Sequence, residues 1–391
     1  MNDKPSYDAR DARAARAARQ DHGGAPAALP EVTAMLCPFC LAEVATFERL
    51  ETGWRCPACA EPVPALYHAG YTSHPPSVFS TVGFSGHGKT VFLAALFHLL
   101  SHPRLAEHWP RYYRIALGDH SLERLAVGAR ALAAGTLPDS TPQLLPTPTM
   151  LRLAGLPIRD GVTLLCYDAA GESFKRAASL RRYARFLTRA QTVLFLVSVP
   201  DLLRQERDAP VGPGEAIKRL LEIYANGMAE LGGDTRRQRL LLVFTKADEW
   251  EALQRPGQES LLAHVCADSF EGIGNYPLYV GRLREISLRL RELMAGELGG
   301  RGFLNHAAAH FASLDFCIVS ALGSAPAEQA MQTRIAPRRV LDPLLWMLDP
   351  DLAGSPPPPP PRPPSALRLA LRQRLPVGLR RWLRRYLDIR V

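Results

Sequence analysis

Gly83-Phe84-Ser85-Gly86-His87-Gly88-Lys89-Thr90 is the stretch on which the fold of this 391-residue chain turns. It matches G-x-x-x-x-G-K-[ST] without departure, and it stands between a β-like apolar run, 78–82, and a helix-like apolar run, 90–100. Glycines in this pattern let the backbone curl so that successive N–H groups point at phosphate oxygens. The lysine reaches the terminal phosphates and the hydroxyl serves Mg²⁺. The start of the following helix adds unpaired N–H groups and the positive end of its macrodipole. Contacts to a phosphorylated ligand are therefore expected from Gly83, Ser85, Gly86, His87, Gly88, Lys89, Thr90 and Val91, with Lys89 also in a catalytic role.

Outward from this loop, β-rich apolar runs recur at 150–153, 162–167, 192–199, 240–244 and 314–319. Helical patterns fall at 120–134, 174–188, 215–231, 279–294 and 340–348. The alternation predicts an α/β domain over 77–350 with six strands in a mixed, mainly parallel sheet covered on both faces. Residues 154–161 are too few for a crossover, so the second and third strands are expected as an antiparallel hairpin at one edge. The segment 249–312 is long for one connection and reads as a helical insertion.

A phosphate loop does not choose its base; three later patterns at strand ends do. Asp168-Ala169-Ala170-Gly171 offers a carboxylate for Mg²⁺ and the Gly171 N–H for a γ-phosphate. Thr245-Lys246-Ala247-Asp248 offers a carboxylate that can accept two hydrogen bonds from N1 and N2 of guanine, donors that adenine lacks. Ser320-Ala321-Leu322 offers backbone groups to the guanine O6. Each pattern is short, and it is their order along successive strand ends that points to guanine. Asp248 could also serve as a helix cap.

Together these segments resemble the motifs of the Ras-like and Arf-like GTPases of the translation-factor-related class. The resemblance implies a Ras-like P-loop fold, GTP and GDP as ligands with Mg²⁺, and GTP hydrolysis as a regulatory switch acting on a protein effector. Gly135-Thr136-Leu137-Pro138-Asp139-Ser140-Thr141-Pro142, Asp168-Ala169-Ala170-Gly171-Glu172 and the cysteine unit in front are further similar to the bacterial Double-GTPase family. That resemblance implies a role in prokaryotic conflict or defence systems. The switch threonine that would meet Mg²⁺ and the γ-phosphate is Thr141 by this phrase or Thr147 by spacing, with Thr141 preferred. Glu172 occupies the position where many relatives place the glutamine that orients water. A carboxylate is repelled by phosphate and cannot donate that hydrogen bond, so the alternative is a GTP-binding scaffold with little hydrolysis. Arg176, Arg181 and Arg182 follow, as candidates for neutralising charge or as a solvated helix face.

Seven cysteines occur, four of them as Cys37-Pro-Phe-Cys40 and Cys56-Pro-Ala-Cys59. Two such knuckles predict a zinc ribbon over 34–70 with four thiolates on Zn²⁺. A closed shell of this kind builds structure and catalyses nothing. Cys166, Cys266 and Cys317 read as core residues. The net charge of +9 resides almost wholly in residues 356–391, which hold nine Arg against one Asp, while 31–355 sum to zero. A neutral body argues against nucleic acid as a partner. Residues 1–33 read as disordered and 355–364 as a stiff proline spacer. The basic segment 365–391 carries Leu379, Trp382, Leu383, Tyr386 and Leu387 on one helical face, suited to a docked protein or to peripheral contact with an anionic membrane. With no signal segment and no long apolar run, the chain is expected in the cytoplasm or at the inner face of the membrane.

Overall fold

The computed structural model describes residues 34–136, 146–206, 211–324, 335–349 and 352. The expectations for 1–33, Thr141, the proline spacer and the basic tail lie outside these residues. The chain divides into two compact units at Pro75/Pro76, each described by itself.

The first unit has short strands β1 (Met35–Leu36) and β2 (Glu43–Val44), then a three-stranded antiparallel sheet of β3 (Glu48–Leu50), β4 (Gly53–Arg55) and β5 (Pro62–Val63), and one turn of helix, α1 (Ala65–Ala69). Apart from cysteines, its apolar core is the buried Met35, Leu41, Phe47, Val63 and Tyr67.

The second unit is built on a seven-stranded sheet, one strand more than expected. In chain order its elements are β6 (Pro76–Val82), α2 (Lys89–Leu100), α3 (Arg104–His108), β7 (Tyr113–Ala116), α4 (Asp119–Ala133), β8 (Thr149–Ala154), β9 (Gly161–Tyr167), α5 (Ala177–Tyr183), β10 (Thr192–Ser198), α6 (Val199–Glu206), α7 (Pro213–Glu230), β11 (Arg239–Thr245), α8 (Glu259–Cys266), α9 (Tyr276–Gly296), α10 (Arg301–His310), β12 (Ser313–Ile318) and α11 (Asp342–Leu348). The strand order is β12-β11-β10-β6-β9-β8-β7. The five strands from β12 to β9 are parallel, whereas β8 pairs antiparallel with both of its neighbours, β9 and β7.

The added strand corrects the placement of the β8/β9 hairpin, which lies inside the sheet with β7 forming the edge. β7 reads Tyr-Arg-Ile-Ala, with Tyr113 and Ile115 exposed and only half of the strand turned inward. Such a short, half-polar edge gives no apolar run to find. The central strands show the opposite pattern. Every residue of β8, β9 and β10 is buried, as expected where helices cover both faces. Alternate residues of β10 serve the two faces. Leu194 and Leu196 join a cluster with Phe92, Leu96, Leu283 and Trp346 of α2, α9 and α11, while Phe195 meets Tyr224 of α7 edge-on at 5.3 Å.

The helical run expected at 174–188 is broken into a 3₁₀ turn at Gly171–Phe174, helix α5, and a second 3₁₀ turn at Arg185–Arg189. Of the three isolated cysteines, Cys166 and Cys317 are buried in strands, but Cys266 is exposed, because it closes α8 on the solvent side. None of the described helices is long and apolar enough to cross a membrane.

Candidate nucleotide site and metal centre

β6 lies at the point where the chain order of the parallel strands reverses, with β9 on one side and β10 on the other. In open α/β sheets ligands bind outside the carboxyl ends of strands at such a switch point. Gly83–Thr90 emerges there. Gly86 and Gly88 both have φ +82°, a left-handed conformation that side chains disfavour, and a Cβ on Gly83 would stand 2.3 Å from the Leu196 carbonyl oxygen of β10. Within the loop, Lys89 Nζ donates to the Gly83 and Phe84 carbonyls at 3.0 and 2.8 Å. Burial lowers its pKa to about 8, against the pull of Asp168 and Glu172.

His87 anchors the loop from beneath. Its ring is 1% exposed, Nδ1 accepts the Ser198 N–H at 3.0 Å, and its carbonyl accepts the Thr245 hydroxyl at 3.0 Å. An accepting Nδ1 requires the neutral ring, and burial lowers the pKa from 6.5 to about 4. The unfolded chain therefore binds the proton more readily. The His87 contribution is constant above about pH 6.5 and is expected to cost about 3 kcal/mol of stability as the pH drops toward 4. In His87→Gln, which keeps an acceptor but does not titrate, urea midpoints between pH 6.5 and 4.5 are expected to decline distinctly less than in the wild type. Parallel declines would remove His87 as the cause.

Asp168 follows β9. One carboxylate oxygen accepts the Thr90 hydroxyl at 3.4 Å and the other lies 3.6 Å from the Arg124 guanidinium. Thr90 and Asp168 thus form an oxygen-only donor pair of the kind that suits a hydrated Mg²⁺. Gly171 passes so close to the loop that a Cβ there would meet Ser85 N at 2.5 Å and Lys89 Nζ at 2.9 Å. Glu172 turns to Lys175 at 2.7 Å and is 47% exposed. Thr147 is exposed just before β8, and Arg176 is exposed. The side chains of Arg181 and Arg182 lie outside the description.

At the other end of the cleft, Lys246 adopts φ +54° and its Nζ reaches Asp201 at 2.7 Å. Burial opposes ionisation of Asp201, but hydrogen bonds from Lys246 and Arg204 prevail and bring it down to about 2. The Ala247 N–H donates to the Val319 carbonyl, and the Ser320 hydroxyl donates to Asp248 Oδ1 while accepting the Gly323 N–H. Gly86, Gly88, Val91, Thr245, Lys246, Asp248, Ala321 and Leu322 line a common cleft. Two features escaped sequence reading. Asp201 carries no motif signature, and Arg124 lies on a helix that reads only as amphipathic.

In the first unit the four cysteine sulfurs lie within 4.8 Å of one another, with Cys37–Cys59 and Cys40–Cys56 at 3.8 Å. Four thiolates at about 2.3 Å from a tetrahedral Zn²⁺ would be separated by about 3.8 Å. The knuckles are near copies. Phe39 N–H and Ala58 N–H each point at the first cysteine of their pair at 3.4 Å, and Leu41 and Ala60 each take a left-handed φ. The residues fit the metal.

A glycine loop leaving the central strand of a parallel sheet, with the other motif strands ending beside it, defines a Ras-like P-loop GTPase fold. The chain belongs to the Double-GTPase 2 family, whose model matches residues 77–275. Among solved structures it is similar to the Ski7 GTPase-like domain of S. cerevisiae bound to GDP and inorganic phosphate, at 12% identity and TM-score 0.34, over 74% of this chain and 52% of that one. It thus spans about half the length of that relative. It is also similar to the signal recognition particle receptor SRb-GTP/SRX complex from Chaetomium thermophilum, at 15% identity and TM-score 0.33, over 65% of this chain and 96% of that one. No curated protein matches it.

Proposed function

We propose that the chain binds GTP and GDP with Mg²⁺ and hydrolyses GTP to GDP and phosphate as a regulatory switch. One observation carries the guanine assignment. The Ser320 hydroxyl orients Asp248 across 72 residues of sequence, and the same loop is tied to the phosphate end through Thr245 and His87. In this reading Gly83, Ser85–Val91 and the Gly171 N–H hold the phosphates. Lys89 supplies charge to the terminal ones, and Asp248, Lys246 and the backbone of Ser320–Leu322 hold the base. Thr90 and Asp168, with a switch threonine at 141 or 147, would hold Mg²⁺, which when bound neutralises phosphate charge. Lys89 is held against loop carbonyls near the phosphate position, so little reorganisation is needed to engage an anion.

The test is direct binding of GTP, GDP and ATP to the purified protein. Wild type should prefer guanine nucleotides by at least about 10²-fold, and Lys89→Ala should weaken GTP by about 10²-fold or more, losing a charge-assisted contact. Equal ATP affinity would sink the assignment. The Glu172–Lys175 pair favours a second reading, a GTP-binding scaffold that turns over slowly, because Glu172 neither donates to water nor sits free of its lysine. Fast single-turnover hydrolysis by the protein alone rejects it. A defence role follows from the family resemblance. Deleting the gene and challenging the host with phage tests it, and unchanged plaque counts would remove it. Peripheral membrane contact through 379–387 is tested by vesicle co-sedimentation with and without 365–391, equal pelleting being the negative outcome.

A further inference from the structure

The phosphate end of the cleft holds a cation that no motif accounts for, Arg124 of α4. A guanidinium nitrogen stands 3.6 Å from Asp168 Oδ2, while Asp168 Oδ1 takes the Thr90 hydroxyl. A single carboxylate therefore brings Arg124 beside Thr90, the last residue of the phosphate loop and the neighbour in sequence of Lys89. The pair is too long for a hydrogen bond and Arg124 is 46% exposed, so it adds little to stability and is easily exchanged for another anion.

The mount of this side chain is fixed on both sides. Three residues earlier, the buried Ser121 hydroxyl accepts the Met150 N–H of β8 at 2.9 Å. Four residues later, Gly128 faces α2, where a Cβ would make ordinary van der Waals contact with Ala94 Cβ at 3.6 Å. α4 is thus held against both the sheet and the helix that begins at Lys89. The Arg124 backbone is positioned while its guanidinium stays free to turn, an arrangement that suits a group acting on bound phosphate.

We propose that Arg124 is an arginine supplied in cis to the terminal phosphate of GTP, a catalytic residue that leaves Asp168 for the γ-phosphate oxygens. This rests on the GTPase reading above. In the reaction, a water oxygen bonds to Pγ and the bond from Pγ to the β–γ bridging oxygen breaks. The electron pair leaves on GDP, and the two water protons go to the released phosphate or to solvent. Charge builds on the bridging and equatorial oxygens, and a planar guanidinium can donate to two of them at once. This chain needs such a group, since Glu172 cannot supply the donor that a glutamine would.

The experiment compares wild type, Arg124→Ala and Arg124→Lys, all with Mg²⁺. Arginines in this role are worth about 10³–10⁵ in rate. Arg124→Ala is expected to slow single-turnover GTP hydrolysis by at least about 10²-fold, and Lys, a point charge without the fork, to recover only a small part. GDP affinity and thermal midpoint should match wild type, whereas affinity for the slowly hydrolysed analogue GTPγS should fall by about 10-fold. That ratio of GTPγS to GDP affinity reads the γ-phosphate contact even where turnover is slow. An unchanged ratio, or equal weakening of both nucleotides, overturns the role of Arg124. Failure of the wild type to bind either nucleotide overturns the GTPase reading itself, and this proposal with it.

Discussion

Asp248→Ala is expected to weaken GTP and GDP by about 10²–10⁴-fold while leaving ATP affinity, already low, unchanged. A carboxylate that accepts from both N1 and N2 of guanine makes two charge-assisted hydrogen bonds, each worth about 1.5–3 kcal/mol. Alanine removes both and leaves the base donors unpaired in the cleft, a combined loss on the order of 3–5 kcal/mol. Adenine presents no such donors, so discrimination collapses as affinity falls. Ser320→Ala should cost less, about 10-fold, because it removes only the hydroxyl that orients Asp248. Asp248→Asn offers one acceptor and one donor, and should move preference toward xanthine, which carries a carbonyl at C2. Isothermal titration with GTP, ATP and XTP on the three variants separates these outcomes. Wild-type GTP affinity in Asp248→Ala would show that the base is held elsewhere.

The second large effect is expected at the cysteine unit. Its strands are two or three residues long and its buried aromatics few, so its apolar burial falls short of the cost of ordering some forty residues. On the reading that the four cysteines hold zinc, the metal would make up the difference, with apparent binding free energies of about 10–16 kcal/mol in small zinc domains. Wild type should therefore carry one Zn²⁺ per chain by metal analysis. Cys56→Ser should carry less than a tenth of that, and limited proteolysis should cut within 34–75 at least about 10-fold faster. A strong chelator added to wild type should reproduce the proteolysis pattern. Wild type purified without zinc, or a serine variant with full occupancy, is the result that excludes a metal-built unit.

Both predictions rest on features of unequal visibility in the sequence. The cysteine knuckles and the glycine loop could be read because their chemistry is local. Cys37 and Cys40 are fixed by the turn between them, Gly86 and Gly88 by the loop's own dihedrals, and Lys89 by its bonds to the loop carbonyls. The strands β6, β9, β10, β11 and β12 could be read because strands covered on both faces are largely apolar, with polar positions such as Ser80, Thr81 and Asp315 too few to break the run. β7 could not, since an edge strand of four residues half in solvent has no such pattern. Cys266 was misplaced for a related reason, because an apolar helix pattern does not say which turn ends at the surface.

The sequence alone, then, determined the α/β class, the phosphate loop, the order of the motifs and the four zinc-suited cysteines, each of which depends on residues within a few positions of one another. Only the tertiary structure decided that Ser320 orients Asp248, that Thr245 and Ser198 clasp His87, that Lys246 meets Asp201, and that Arg124 reaches Asp168. Those partners are brought together by parallel strand register and by the seating of α4 on α2, and distances set by packing among distant segments leave no periodic trace in the chain.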